Sequence, residues 1–222
     1  MSSIMDVAAR NQTPGARERI LETASRLFYR DGLRATGVDT IIAKSGVAKM
    51  SFYRHFPSKS DLIEEFLRRR HDRWTVWFTK AVERRLKKRG AGMEVVADAL
   101  REWFAEPDFR GCAFINAVAE TPLRQAEQNA IARQHKEHLR SFLEKLAERL
   151  SLSDPENSAA QAMIIIEGTI VRAQMTGDPE VPATCRQLLQ SIGASSHRPA
   201  LGNAGSLGKG RKSATKSSRK RA

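Results

Sequence analysis

Wherever apolar residues cluster in this chain they recur at intervals of three and four, and no stretch alternates apolar with polar side chains as a half-buried strand would. Such a pattern predicts a core built from helices alone. Ile20, Leu21, Ala24, Leu27 and Phe28 make one amphipathic face that Asp31 and Gly32 bring to a stop, with Thr13 and Pro14 as its expected cap and first turn. TGVD at 36–39 reads as a capping box ahead of a short helix carrying Val38, Ile41 and Ile42, closed by Ser45 and Gly46. The next short helix starts near Ala48 and must end by Phe56, because Pro57 disfavours helical geometry in the residue before it.

SKSD at 58–61 is a second capping box, from which Leu62, Ile63, Phe66, Leu67, Trp74, Trp77, Phe78 and Leu86 run on towards Gly90. About thirty helical residues reach roughly 45 Å, enough to link a small head to a larger body. Further helices are expected at about 91–105, 112–120, 124–150, 156–176 and 180–191, set apart by Gly, Pro and Asp signals. The expected organisation is all-α: a flexible start (1–13), a three-helix head (14–60), a helical body (61–192) and a tail (193–222).

Charge is divided the same way. Residues 1–60 carry ten Lys and Arg against five Asp and Glu, residues 61–192 carry twenty against twenty, and residues 193–222 carry eight against none. Basic ends around a neutral middle suit a polyanion at the ends and a small molecule or self-association in between. No run of eighteen apolar residues is present to span a membrane, and the first residues lack the apolar stretch of a signal peptide. With two cysteines too few for a disulfide framework, a reducing cytoplasm is the expected location.

Two short helices braced by a longer one form a helix-turn-helix, whose second short helix enters the major groove while the first crosses the backbone. GVAKMSFYRHFPSKSDL at 46–62 holds that second helix. Val47, Phe52 and Phe56 are expected to anchor it, leaving Lys49, Met50, Ser51, Tyr53, Arg54 and His55 for groove and phosphates. Thr36 and Thr40, at the start of the preceding helix, and Lys59, at the start of the long one, are expected to meet phosphates as well.

The run from about Ala16 to Phe66, above all ATGVDTIIAKSGVAKMSFYRHFPSKSDL, resembles the DNA-binding domain of the TetR family of bacterial transcriptional regulators. It has that family's Gly-Val turn, Tyr-x-His-Phe helix and Lys two residues past the Pro, while Ile42 departs from the alanine many members carry at the helix crossing. GCAFINAVAE and EGTIVRAQMTGD resemble segments of the ligand and dimer domains of some members. The resemblance implies a homodimer on a palindromic operator in double-stranded DNA, most simply a repressor, released by a small molecule in the body. It implies that Tyr53, His55 and Lys59 hold phosphates and that Lys49, Met50 and Ser51 lie near bases. No cofactor, metal or membrane partner is implied. Dimeric readers set their two helices about 34 to 36 Å apart, so the long helix is the expected lever on that spacing.

Trp77, Trp103, Phe104, Phe109 and Phe114, with Cys112 nearby and Asn116 and Glu120 as polar groups, are candidates for lining a largely apolar effector pocket. Aromatics at helical spacing serve equally as plain core. Cys112 follows Arg110 at a helix start that favours a thiolate; its alternative is a small buried hydrophobe. Ile164, Gly168, Val171, Leu188 and Leu189 suit a four-helix seam between two copies. His135 and His138 share a helical face without a third ligand, and there is neither a Gly-x-Ser-x-Gly elbow nor a Gly-rich phosphate loop. No enzyme is expected, and both histidines are expected in solvent. The tail, with Lys209, Arg211, Lys212, Lys216, Arg219, Lys220 and Arg221, suggests an alternative: a nucleoid-like, largely nonspecific DNA-binding protein.

Overall fold

The computed structural model describes residues 14–88, 90–121 and 126–195, and among them nine α-helices account for all regular structure. The expected flexible start and all of the tail beyond 195 lie outside the described residues. α1 (Ala16–Asp31), α2 (Val38–Ser45) and α3 (Lys49–His55) form the head. α4 (Lys59–Leu86) leads from it into a body of α5 (Val95–Phe104), α6 (Ala113–Glu120), α7 (Ala126–Arg149), α8 (Pro155–Thr176) and α9 (Val181–Ser195).

Local chemistry explains most boundaries. Ser58 and Asp61 close a complete capping box on α4: the Ser58 hydroxyl accepts from the Asp61 N–H at 3.1 Å, and the Asp61 carboxylate accepts from the Ser58 N–H at 2.9 Å. Asp154 caps α8 by accepting from the Asn157 N–H at 3.1 Å. Two starts differ from expectation. α1 begins at Ala16 with Gly15 as its cap residue, later than Pro14, and Thr13 lies outside the described residues. The box at 36–39 does not form, because Gly37 is the cap residue of α2 and its carbonyl accepts from the Ile41 N–H.

α4, twenty-eight residues and about 42 Å long, is the axis of the molecule. Its head-facing residues Leu62, Ile63, Phe66 and Leu67 are buried, α1 packs on it, and α5, α6 and α7 pack along the rest. α8 lies between α7 and α9, and α9 closes back on α5. Among the described residues no helix is long and apolar enough to cross a membrane.

The middle of the body is aromatic. Trp74 stacks on Phe78 at 4.6 Å between ring centroids and meets Trp103 edge-on at 5.6 Å. His135 corrects the expectation that it sits in solvent: it is only 3% exposed, its ring stacks on Phe114 at 3.8 Å, and its Nδ1 lies 3.0 Å from Nδ1 of His71. Helical spacing groups His135 with His138, but one turn separates an inward residue from an outward one here, since His138 is exposed.

Burial pushes His135 far below its usual range, to about 2, with the charges of Lys136, His71, His138 and Arg70 acting in the same direction. The folded chain therefore binds this proton more weakly than the unfolded chain does. The stability that neutral His135 contributes is complete above its ordinary value of 6.5 and is lost as pH falls below it. The expected loss from this residue is about 1.4 kcal/mol per pH unit below that point. His135→Phe keeps a ring against Phe114 and removes the titration, so denaturant unfolding from about pH 6.5 down to about pH 4.5 should show a shallower slope than wild type. Parallel slopes for the two proteins would mean that His135 is not the group responsible.

Candidate nucleic-acid interface

Gly46, in the left-handed conformation with φ at +64°, turns the chain from α2 into α3. Val47, Phe52 and Phe56 point inward as the sequence suggests, and Phe52 is completely buried. The guanidinium of Arg17 lies 5.2 Å from the Phe56 ring centroid and pairs with Glu65 at 2.9 Å. Arg19 Nε donates to the Ser45 carbonyl at 3.3 Å. α3 is thereby held against α1, which is itself tied to α2 and α4, with the opposite face of α3 exposed.

That face carries Lys49, Met50, Tyr53 and Arg54, all exposed, with Met50 82% exposed, while Ser51 and His55 are half-buried beside them. Lys49 reaches Asp39 at 3.7 Å, but both groups are open to solvent and such a pair holds little energy. A strip of cations, hydroxyls and one flexible apolar side chain on a short helix can contact phosphates and base edges together.

The neighbouring residues divide. Thr40, in the first turn of α2, is exposed. Thr36 is buried, and its hydroxyl donates to the Gly32 carbonyl at 2.7 Å, so it is not free to donate to a phosphate as expected. Lys59 is half-buried at the first position of α4, with Nζ 3.5 Å from the Arg34 carbonyl. Burial lowers its pKa, against the opposing charge of Glu120.

Of the residues expected to line one body pocket, Trp103, Cys112 and Phe114 border one small space together with Trp74 and His135, and the others lie apart from it. Trp77 and Trp103 are buried, and Trp103, Phe104 and Phe109 fill one another's space, with Trp103 edge-on to Phe109 at 5.2 Å and Phe104 at 4.9 Å from Phe109. Cys112 is buried as the cap residue of α6. Asn116 and Glu120 turn away from the aromatics: Asn116 Nδ2 donates to the Arg110 carbonyl at 2.9 Å, and a Glu120 carboxylate oxygen accepts from the Arg34 N–H at 2.8 Å. Of the expected set, Phe114 alone also lines a larger cavity. This space of about 1000 Å³ lies between α6, α7 and α8 and is walled by Phe114, Ile115, Val118, Ala132 and Met163. Its polar rim includes Asn129, Lys136 and Arg140.

One arrangement had no signal in the sequence. α6 is tied to the head at both ends. At its start the Tyr29 hydroxyl donates to the Gly111 carbonyl at 2.9 Å and accepts from the Arg110 N–H at 3.0 Å. At its end Arg34 contacts Glu120 twice, through the backbone N–H and through Nε, which donates to the Glu120 carbonyl at 2.7 Å. Gly111 has φ at +78°, a backbone conformation that strains any L side chain, so the start of α6 favours glycine; the Gln174 side chain lies where a Cβ would project. The same eight-residue helix contributes Phe114, Ile115 and Val118 to the large cavity.

On α8, Ile164 (74% exposed), Gly168, Val171 and Met175 form one outward stripe, and Leu188 on α9 is exposed as well. Leu189 corrects the expectation: it is completely buried in the chain's own core, one helical step away from Leu188.

Residues 20–66 match the family model for bacterial regulatory proteins of the tetR family. Among curated proteins, the chain is 51% identical over 51 residues to the uncharacterized HTH-type transcriptional regulator YxaF of Bacillus subtilis, covering 22% of this chain and 27% of that protein. It is 43% identical over 54 residues to the HTH-type transcriptional repressor KstR2 of Rhodococcus jostii, covering 24% of this chain and 26% of that protein. The chain thus spans about a quarter of the length of these curated relatives. The likeness in structure extends further. The crystal structure of SCO4454, a TetR-family transcriptional regulator from Streptomyces coelicolor, superposes with a TM-score of 0.75 at 28% identity, covering 84% of this chain and 92% of that one.

Proposed function

From its membership of the TetR family of transcriptional regulators, we propose that this chain is a homodimeric repressor that reads a palindromic operator through α3 and lets go when a small molecule enters the body. The observation that carries the reading is the exposed face of α3, where Lys49, Met50, Tyr53 and Arg54 are open to solvent on a helix whose other side is anchored by Phe52. Lys49, Met50 and Ser51 contact base edges; Tyr53, Arg54, His55, Thr40 and Lys59 contact phosphates. Residues 14–60 act as the reading head and 61–192 as the body.

Two copies meet through the stripe of Ile164, Gly168 and Val171, together with Leu188, a face apolar enough to be covered by its own copy across a two-fold axis. The effector is apolar or amphipathic and occupies the cavity between α6, α7 and α8. Its entry moves α6, and α6 carries the head through Tyr29 and Arg34 while α4 tilts with it. A ligand achieves this only through unequal affinity for the two arrangements.

The test is DNA binding over a salt series, with DNA from upstream of the chain's own gene and a scrambled control, using the full chain and one truncated after Ile192. Specific reading predicts a preference for one DNA that survives truncation. Preference absent and affinity lost with the tail would favour the nonspecific alternative that the basic tail suggests. Tyr53→Ala should weaken both DNAs by a similar factor, about fivefold to tenfold, and make the salt dependence no steeper. A selective loss on the preferred DNA would reassign Tyr53 to base reading.

A further inference from the structure

A second cavity, of about 350 Å³, lies where α1 meets α4 and the loop between α5 and α6. It shares no lining residue with the α6–α8 cavity, and its character is different. Tyr29, Phe66 and Pro107 give it apolar walls. Around them stand six arginines: Arg26 and Arg30 from α1, Arg69, Arg70 and Arg73 from α4, and Arg110 from the loop. Two acids, Glu22 and Asp108, share the lining.

Several of the cations are already committed. Arg30 pairs with Asp31 at 2.6 Å, Arg69 with Glu18 at 2.6 Å, and Arg70 lies 3.9 Å over the Tyr29 ring. Arg26 has no hydrogen bond or ion pair among the described residues, and Arg110 spends one guanidinium nitrogen on the adjacent Phe109 carbonyl at 2.7 Å. The cavity therefore keeps an excess of forked N–H donors next to an aromatic wall. Guanidinium groups bind carboxylate and phosphate oxygens in pairs, and aromatic faces take an apolar body.

We propose that this cavity binds an amphipathic organic anion, its charged group on Arg26 and Arg110 and its apolar body against Tyr29 and Phe66. Such a ligand touches α1 on one side and α4 with the α5–α6 loop on the other, so it fastens the head to the body at the Tyr29 contact. The site is a second input, independent of whether the α6–α8 cavity takes an effector.

The probe is 8-anilinonaphthalene-1-sulfonate, followed by fluorescence with the full chain at constant ionic strength, beside its uncharged parent N-phenyl-1-naphthylamine. Arg26 and Arg110 are exposed, so the Arg26→Gln/Arg110→Gln protein should melt like wild type, and the basic tail is the same in both. Met163→Trp fills the other cavity and serves as the second variant. The expected result is saturable sulfonate binding, weakened at least tenfold by the double Gln substitution and unchanged by Met163→Trp. The parent dye should bind wild type and the double variant alike. Equal sulfonate binding by wild type and the double variant overturns the proposal. So does a loss confined to Met163→Trp, or displacement of the dye by inorganic phosphate alone at submillimolar concentration, which would leave the apolar wall without a role.

Discussion

Phe52→Ala should abolish DNA binding by unfolding the head while the body keeps its helices. Phe52 is completely buried at the centre of α3, in ring contact with Phe56 at 6.3 Å and Tyr53 at 5.2 Å. Truncating a buried Phe to Ala costs about 3–5 kcal/mol, the lost transfer energy plus the cavity left behind. A head of three helices has little stability in reserve, since a core of that size rarely supplies more than about 3–5 kcal/mol. Circular dichroism should lose a portion of helix that corresponds to α1–α3, with a separate melt retained for the body. Met50→Ala is the control: Met50 is exposed, so this variant should melt like wild type and change DNA affinity alone. Wild-type melting and DNA affinity for Phe52→Ala would show that α3 is not held as described.

If the proposed dimer forms through α8, Ile164→Asp combined with Val171→Asp should leave the protein monomeric at micromolar concentration and remove the proposed tight binding to a two-fold DNA site. Both residues are exposed on the outward stripe of α8, so the charges are tolerated by a lone chain and opposed only where a second copy covers them. Central apolar contacts in an interface are worth about 2–4 kcal/mol each, and a carboxylate buried against its own copy adds desolvation and like-charge repulsion. A rise in the dimer dissociation constant of at least about a thousandfold is expected from about 4 kcal/mol. Sedimentation velocity measures it directly. Leu189→Ala offers the contrast, because that side chain is completely buried within its own chain and its loss should lower stability by about 2–5 kcal/mol without selective dissociation. A double Asp variant that remains dimeric places the seam on some other surface.

The helices were legible wherever a local rule sets them. The Ser58 box needs only four consecutive residues and forms as read, whereas the box read at Thr36 fails because burial turns that hydroxyl back to Gly32. The anchors of α3 were legible too, since Phe52 and Phe56 are one helical turn apart on one face and Val47 is the apolar residue directly after the Gly46 turn. Residues one step apart were harder. Leu188 and Leu189 differ by about 100° around the helix, and the choice between seam and core depends on how α9 is rolled against α5 and α8. The body pocket was least legible. Asn116 and Glu120 are on the same short helix as Phe114, but their partners Arg110, Gln174 and Arg34 come from other parts of the fold. Tyr29 and Gly111 are 82 residues apart in sequence, and no periodicity points from one to the other.

The double attachment of α6 has a thermodynamic corollary. If a ligand beside Phe114 weakens operator binding through the Tyr29 and Arg34 contacts, the operator must weaken that ligand by the same factor, because a coupling free energy between two sites is reciprocal. Protein already seated on DNA then responds only at a higher ligand concentration than protein free in solution. A typical coupling of 1–3 kcal/mol separates the two responses by roughly 5-fold to 150-fold. The eight residues from Ala113 to Glu120 would thus determine the dose at which a gene is released as well as the release itself.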